Sequence, residues 1–183
     1  PIYEGVTVTE GEYPDSRTKN SATAAKLSLE MSSFDGSLSY YSGPSVTPGV
    51  KLGAVTPTET SVEMTIFPKS YTMHVVGMDF STTIAGLFGL RGEAAYKKPH
   101  EDYETNLYVP NPEKQYVVGV DKEFSGSYSI ILQYITKEVE DFEELEKPED
   151  QTLMPQYQIG TINRLISGQT EKKTDSVSLR LEG

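Results

Sequence analysis

The stretch over residues 71–96, YTMHVVGMDFSTTIAGLFGLRGEAAY, alternates between two kinds of residue with the period of an extended chain. In its first half Val76 and Met78 fall on one side, while Asp79 and Ser81 fall on the other. A period of two residues indicates a β-strand with two different faces. The pattern therefore predicts a long two-sided strand, and it limits the chain to folds built from such sheets.

The return arm, after a short turn at Ala85 and Gly86, repeats this alternation. A soluble hairpin shows the same pattern, with its apolar side in a core and its charges in water. Long two-sided strands with tight turns at one end and long polar loops at the other are typical of a transmembrane β-barrel, and this wider rhythm favours the barrel. The apolar side of the return arm carries Leu90, Gly92, Ala94 and Tyr96, and the opposite side carries Gly89, Arg91, Glu93, Ala95 and Lys97.

Further strands are predicted by the same alternation elsewhere in the chain. One covers residues 25–31 and returns as residues 37–42 through a turn at 33–36, where Asp-Gly is strong hairpin chemistry. The others are residues 62–66, stopped by Pro68, then 115–124, 128–139 and 176–182, with a minimal turn at 125–127. Aromatic residues fall near both ends of the apolar side of 115–139, as they do where a barrel wall meets the membrane interfaces.

Long polar segments between these strands predict loops. Residues 1–20 are predicted as a loop with a short strand at 5–9. Residues 43–60 contain three prolines and three glycines, which exclude a central strand and predict a long loop. Residues 98–114 are polar and belong on the same side. The acidic residues 138–158 are a solvated loop or hold one short helix at 141–145, and residues 158–167 fit a helix nearly as well as a strand.

Composition narrows the class of protein. The 183 residues carry a net charge of −11, which gives no long-range attraction to a phosphate backbone, so we expect no nucleic-acid partner. The mean hydropathy is −0.43, and no run of about 18 apolar residues is present to span a bilayer as a helix. The chain has no cysteine for a disulfide or a thiolate nucleophile. We expect a single all-β domain over residues 1–183.

The sequence contains few residue patterns typical of catalysis. We expect no enzyme, no catalytic residue, no cofactor and no metal. His74 and His100 are the two histidines, with no cysteine and no His-Glu-x-x-His motif to complete a zinc site. Carboxylate pairs for glycoside hydrolysis can be drawn from Glu93, Asp121 and Glu123, but any acidic protein offers such pairs. The acidic segments 101–102 and 138–150 carry oxygen ligands that could bind Ca²⁺, which stays open as an alternative. They lack the regular spacing of a known calcium loop, so we expect solvated loops there.

Four segments carry a resemblance to a known class: FDGSLSYYSG, VVGMDFSTTIAGLFGLRGEAAYKKP, QYVVGVDKEFSGSYSIILQYI and SVSLRLEG. They resemble consecutive strands of a Gram-negative outer-membrane β-barrel, and are similar in particular to large proteobacterial porin-like proteins of uncharacterised role. The resemblance covers residues 21–183. It implies an antiparallel up-and-down barrel in the cell outer membrane, contact with outer-membrane lipid, and passage of a solute or attachment of a partner. Because no signal sequence opens the chain and no aromatic residue ends it, we expect a segment of a larger barrel, alongside other barrel or envelope subunits.

If the apolar sides meet lipid, the opposite sides line a water-filled lumen through which small hydrated solutes pass passively. Six acids and five bases on that side predict mild cation preference at most. Lys122 lies on the apolar side and fits this prediction only if it is close to the turn at 125–127. A soluble exported β-sandwich, binding a ligand or partner through its long loops, stays open as the alternative. The predicted lumen-lining residues are Lys26, Glu30, Asp79, Arg91, Glu93, Lys97, Asp121, Glu123, Lys137, Arg180 and Glu182.

Overall fold

A computed structural model describes residues 2–15, 21–57, 61–124 and 128–182. The structure is about 60% strand with one α-helix, so the all-β prediction is confirmed. The strands are β1 (Ile2–Val8), β2 (Thr23–Glu30), β3 (Phe34–Pro44), β4 (Gly49–Pro57), β5 (Ser61–Lys69), β6 (Thr72–Ile84), β7 (Phe88–Pro99), β8 (Glu113–Phe124), β9 (Tyr128–Val139) and β10 (Lys173–Glu182). The helix α1 (Met154–Ser167) precedes β10. The predicted turn at 125–127 and parts of the predicted loops, residues 16–20 and 58–60, lie outside the described residues.

Seven strands form one sheet in the order β10-β9-β8-β7-β6-β3-β2, with antiparallel neighbours throughout. The two longest predicted hairpins are both in it, because β6 pairs with β7 and β8 pairs with β9 over their full lengths. Among the described residues the outer strands β2 and β10 do not pair with each other, so the sheet is not closed.

A second sheet has three strands in the order β1-β5-β4. The prediction that residues 43–60 are a long loop is wrong, because Gly49–Pro57 form β4 and pair antiparallel with β5, while Gly43 and Pro44 end β3. The glycines and the proline within β4 are tolerated because β4 is an edge strand with a register shift, where a ladder bond is expendable. The expected stop at Pro68 is also wrong, since Pro68 still pairs with Val50. The short strand predicted at 5–9 is present as β1, which runs parallel to β5.

The sequence predicts the turn between β6 and β7 correctly but not the turn between β2 and β3. Ala85 and Gly86 both have positive φ, 51° and 64°, as a type I′ turn requires, so the turn predicted there is confirmed. The turn predicted at 33–36 is wrong: Met31 donates its backbone N–H to Phe34, and Asp35 already pairs with Glu30 inside the sheet. This earlier turn places the Phe34 ring over Phe80 at 6.4 Å between centroids.

The helix α1 resolves the ambiguity of residues 158–167 in favour of a helix. Pro155 stands in its first turn, and Gly168 ends it with a φ of 66° that favours glycine. Residues 141–145 are loop rather than helix. The α1 side chain of Asn163 accepts a hydrogen bond from the backbone N–H of Val50 and donates one to its C=O, both at 2.7 Å. This amide therefore covers the free edge of β4 as a neighbouring strand would.

The two sheets and α1 meet at the ends of the long strands where the long loops lie, which we call the loop side. A small core there contains the buried residues Tyr71, Tyr108 and Val109. Gly49 starts β4 against this core, where a Cβ atom would stand 1.9 Å from the Tyr108 carbonyl oxygen, so only glycine fits. No helix among the described residues has the length and hydropathy needed to cross a membrane.

Candidate functional site

Strand register sorts the side chains of the seven-stranded sheet into two faces, since alternate residues of each strand point the same way. We call them the apolar face, which contains Met78, Val118 and Leu132, and the polar face. The register places all of the predicted lumen residues on the polar face. Its rows run Tyr41–Val75–Lys97–Glu113–Val139, Lys26–Ser39–Gly77–Ala95–Gln115–Lys137, Asp79–Glu93, Glu30–Asp35–Ser81–Arg91, Asp121–Ile131–Arg180 and Glu123–Ser129–Glu182. That these residues line a lumen stays a prediction.

Some of these charges are brought together and others are spread along the sheet. The Arg91 guanidinium lies 3.1 Å from the Asp121 carboxylate across β7 and β8, and Arg180 lies 2.5 Å from Glu182 within β10. Lys97 and Lys137 both approach the carboxylate of Glu113, which is not among the predicted lumen residues. By contrast, Lys26 and Glu30 are on the outer strand β2, which is three strands from β7 with Lys97 and five strands from β9 with Lys137.

The missed carboxylate is Glu113, at the start of β8, with 7% of its surface exposed. One oxygen accepts from Lys97 at 3.0 Å and from Gln115 at 2.8 Å, and the other accepts from Gln169 at 3.1 Å with the Lys137 ammonium at 3.9 Å. Residues 98–114 were predicted as loop, which hid Glu113. The sequence does contain one indication: Glu113 is two residues before Gln115, so it falls on the same polar side if the strand begins earlier than predicted.

This Glu113 cluster fastens the end of α1 to the loop side of the polar face. Gln169 follows the helix, exchanges hydrogen bonds of 2.8 and 2.9 Å with the backbone of Asn111, and is 4% exposed. The Lys137 ammonium also donates to the carbonyl of Gly168. The helix end is therefore held over the polar face by bonds to residues 111–113 and to Lys137 of β9.

Two cavities lie on either side of this helix end. A cavity of about 550 Å³ lies between α1 and the loops around Tyr103 and Glu143. A second cavity of about 530 Å³ lies over the polar face, between Val75 and Lys97 of the sheet and Ile166 of α1. The two cavities share lining residues, so the helix end is a partition between them: Tyr71, Pro110, Asn111, Ile166, Ser167 and Gln169.

Hydrogen bonds shift the pKa values of several groups in the loop-side segments. The Asp141 carboxylate accepts a hydrogen bond from Tyr103 at 2.7 Å, and this bond raises the pKa of Tyr103 to about 12. The hydrogen-bonded Lys114 ammonium lowers the pKa of Glu140, and Lys69 does the same for the pKa of Glu12. These groups keep their charge or proton over the whole physiological pH range.

The apolar face has exposed large hydrophobic side chains on six of its seven strands, while on β7 it is half-buried. At mid-sheet Met78 is 56% exposed, and Val118 and Leu132 are each 49% exposed, although their strands are paired on both sides. Lys122 is on this face two residues from the end of β8, with its ammonium 5.2 Å from the centre of the Phe124 ring. Lys122 therefore lies at the end of its strand, where a barrel tolerates a charge on the lipid side.

Aromatic side chains lie toward both ends of this apolar face. Those nearer the tight turns are Phe34, Phe88, Phe124 and Tyr128, and those nearer the loop side are Tyr40, Tyr96 and Tyr116. Phe80 and Tyr134 lie between the two groups, in the same row as Val118. Along a strand the two groups are separated by six to eight residues, a distance of about 20–27 Å at the usual rise.

The two histidines lie together at the loop side. The rings of His74 and His100 approach to 3.4 Å between nitrogens, and the Tyr40 hydroxyl is 3.2 Å from the other His74 nitrogen. Within the described ranges, no group of three or more His, Cys, Asp or Glu residues is placed to hold a metal ion. The absence of an enzymatic or metal function stays a prediction.

No protein-family model matches the chain, and no curated protein matches it. The features that bear on function are the two faces of the large sheet and the loop-side segments that cover one end of it.

Proposed function

We propose that the seven-stranded sheet is a part of the wall of an outer-membrane β-barrel, with its apolar face toward lipid and its polar face toward a water-filled passage for small hydrated solutes. The observation that carries the proposal is the exposed apolar face. An exposed patch larger than a few hundred Å² indicates a surface meant for lipid or a partner. In a β-sandwich this face would instead be packed against a second sheet.

The dimensions of the strands support the lipid-facing role. A transmembrane strand needs about 9–11 residues, and the central strands β6, β7, β8 and β9 have 13, 12, 12 and 12. The apolar band of a barrel is about 25 Å tall, with aromatic girdles at both interfaces. The aromatic groups at the two ends of the apolar face are spaced for such a band.

The polar face supports the passage. Its charges have both signs, with six acids and five bases among the predicted lumen residues, so the field favours cations weakly. The helix end held by Glu113 lies over this face and would narrow the passage at the loop side. A barrel with these features conducts ions without a cofactor, and its backbone groups are satisfied by the strand ladder alone.

Gel migration and detergent dependence test the proposal. We expect the protein to need detergent to stay monodisperse, and to migrate faster on a denaturing gel when it is not boiled. In a planar bilayer we expect discrete conductance steps with mild cation selectivity. A protein that is monodisperse without detergent, with a migration unchanged by boiling, would contradict the barrel and favour the sandwich. A heat-modifiable protein without conductance would contradict the passage alone.

A further inference from the structure

The cavity of about 530 Å³ over the polar face has the size of a small-molecule site. Its walls are mostly apolar and come from three parts of the chain. Tyr41, Met73 and Val75 form the sheet side, Val46 comes from the segment after β3, and Ile166 closes it from α1. The body of a ligand that fits here is therefore hydrocarbon or aromatic.

Most polar groups around this cavity are already bonded to each other. Tyr41 donates its hydroxyl to the carbonyl of Pro44 at 2.8 Å, and Ser45 donates to Thr47 at 3.0 Å. The amide of Gln169 is used by Asn111 and Glu113. Groups satisfied in this way have little left to offer a ligand.

Lys97 differs from these groups. Its ammonium has three N–H donors, one carboxylate partner at 3.0 Å, and 34% of the side chain exposed. Glu113, the one acid in the wall, has both oxygens occupied by donors. Because Lys97 and Lys137 flank this single carboxylate, the cluster is net positive in a chain of net charge −11.

We propose that this cavity binds an apolar organic monoanion, with its carboxylate on the Lys97 ammonium and its body against Tyr41, Met73 and Val75. A neutral or cationic molecule of the same shape lacks this ion pair and binds more weakly. The site goes beyond passive passage and does not depend on it, because all of its residues belong to the described fold.

Calorimetric titration of the folded protein tests this site, with 4-butylbenzoate as the probe and neutral 4-butylbenzamide as its matched control. We expect the benzoate to bind at least about tenfold more tightly, since a charge-assisted hydrogen bond contributes this much or more. Lys97→Met should remove that preference, while Lys97→Arg should keep it. Lys98 is the next residue and lies on the apolar face, so the Lys98→Met variant should bind the benzoate as tightly as the native chain does. All variants are measured in the same detergent, so the loss of probe into micelles is the same for each and does not affect the comparison between variants.

A variant that keeps every charge tests the apolar wall separately. Val75→Phe adds bulk inside the open cavity and should weaken benzoate binding about tenfold, without changing the charge of the cluster. Equal affinity for benzoate and benzamide, binding unchanged in Lys97→Met, or no binding of either probe would overturn the site. Gel migration and conductance are measured on the same preparation, so failure of the site is distinguishable from failure of the barrel.

Discussion

Buried polar residues at the loop side are each matched to specific partners. Asn163 satisfies both backbone groups of Val50, and Glu113 receives donors on both oxygens. Buried polar groups are almost always paired in this way, because an unpaired one costs about 1–3 kcal/mol. These residues therefore determine how the loop side packs.

The hydrogen bond from Tyr103 to Asp141 predicts that the Tyr103 phenol loses its proton at a higher pH than an ordinary tyrosine. The folded pKa of about 12 is above the ordinary value of 10, so the bond stabilises the fold below pH 10 and its contribution is lost as the pH rises through 12. Asp141→Asn should lower the Tyr103 pKa toward 10, and asparagine tolerates the φ of 51° at this position. The measurement is tyrosinate absorbance against pH, with Tyr103→Phe subtracted; an unchanged titration in Asp141→Asn would contradict the assignment.

Asn163→Leu should destabilise the protein because it leaves the N–H and C=O of Val50 without partners. The expected loss is about 1–3 kcal/mol for each group, measured as the free energy of unfolding in urea. Gln156→Leu, on an exposed position of the same helix, is the matched control and should change little. Equal losses in the two variants would show that the Asn163 bonds do not hold α1 to β4.

At the scale of elements, periodicity predicts the long strands well and the edge elements poorly. The alternation of residues 72–84 and 115–124 predicts strands because Val76, Met78, Val118 and Val120 fall on one side, while Asp79, Asp121 and Glu123 fall on the other. β4 was missed because its stability comes from β5 and from Asn163, more than 100 residues away, and no local pattern reports such a partner. Glu113 was missed for a similar reason: its partners Lys97, Lys137 and Gln169 meet it only in the folded sheet.

A pair of adjacent substitutions in β9 tests which face meets lipid. Leu132→Arg places a charge at mid-strand on the apolar face, where arginine costs about 2–4 kcal/mol at the bilayer midplane. Gln133→Arg places the same charge on the polar face and should be tolerated. The readout is the heat-modifiable fraction after folding into lipid vesicles. Equal folding of both variants would show that Leu132 does not face lipid.

At the scale of the whole molecule, strand direction determines how the wall can close. Neighbours in the seven-stranded sheet are antiparallel, so its outer strands β2 and β10 run in the same direction. Direct pairing of β2 with β10, within one copy or around a ring of copies, would be parallel. A closed antiparallel wall therefore needs an odd number of strands besides these seven, consistent with the even totals of bacterial barrels.

Disulfide trapping tests this closure, and the cysteine-free sequence makes it clean. Cysteine pairs that join position 25, 27 or 29 of β2 to position 177, 179 or 181 of β10 should not form disulfides in membranes. The control pair Leu27→Cys with Leu38→Cys lies directly opposite in register and should cross-link. An efficient disulfide between β2 and β10 would contradict the expected odd complement of strands.

The claim that the two faces of the large sheet meet lipid and water is tested most directly by spin labels along β9. Single cysteines from 130 to 137 are labelled in lipid vesicles, and the collision of each label with oxygen and with a water-soluble nickel complex is measured. Labels at 130, 132 and 134 should meet oxygen and exclude nickel, while those at 131, 133 and 135 should meet nickel. Nickel access at every position, or exclusion at every position, would contradict the account.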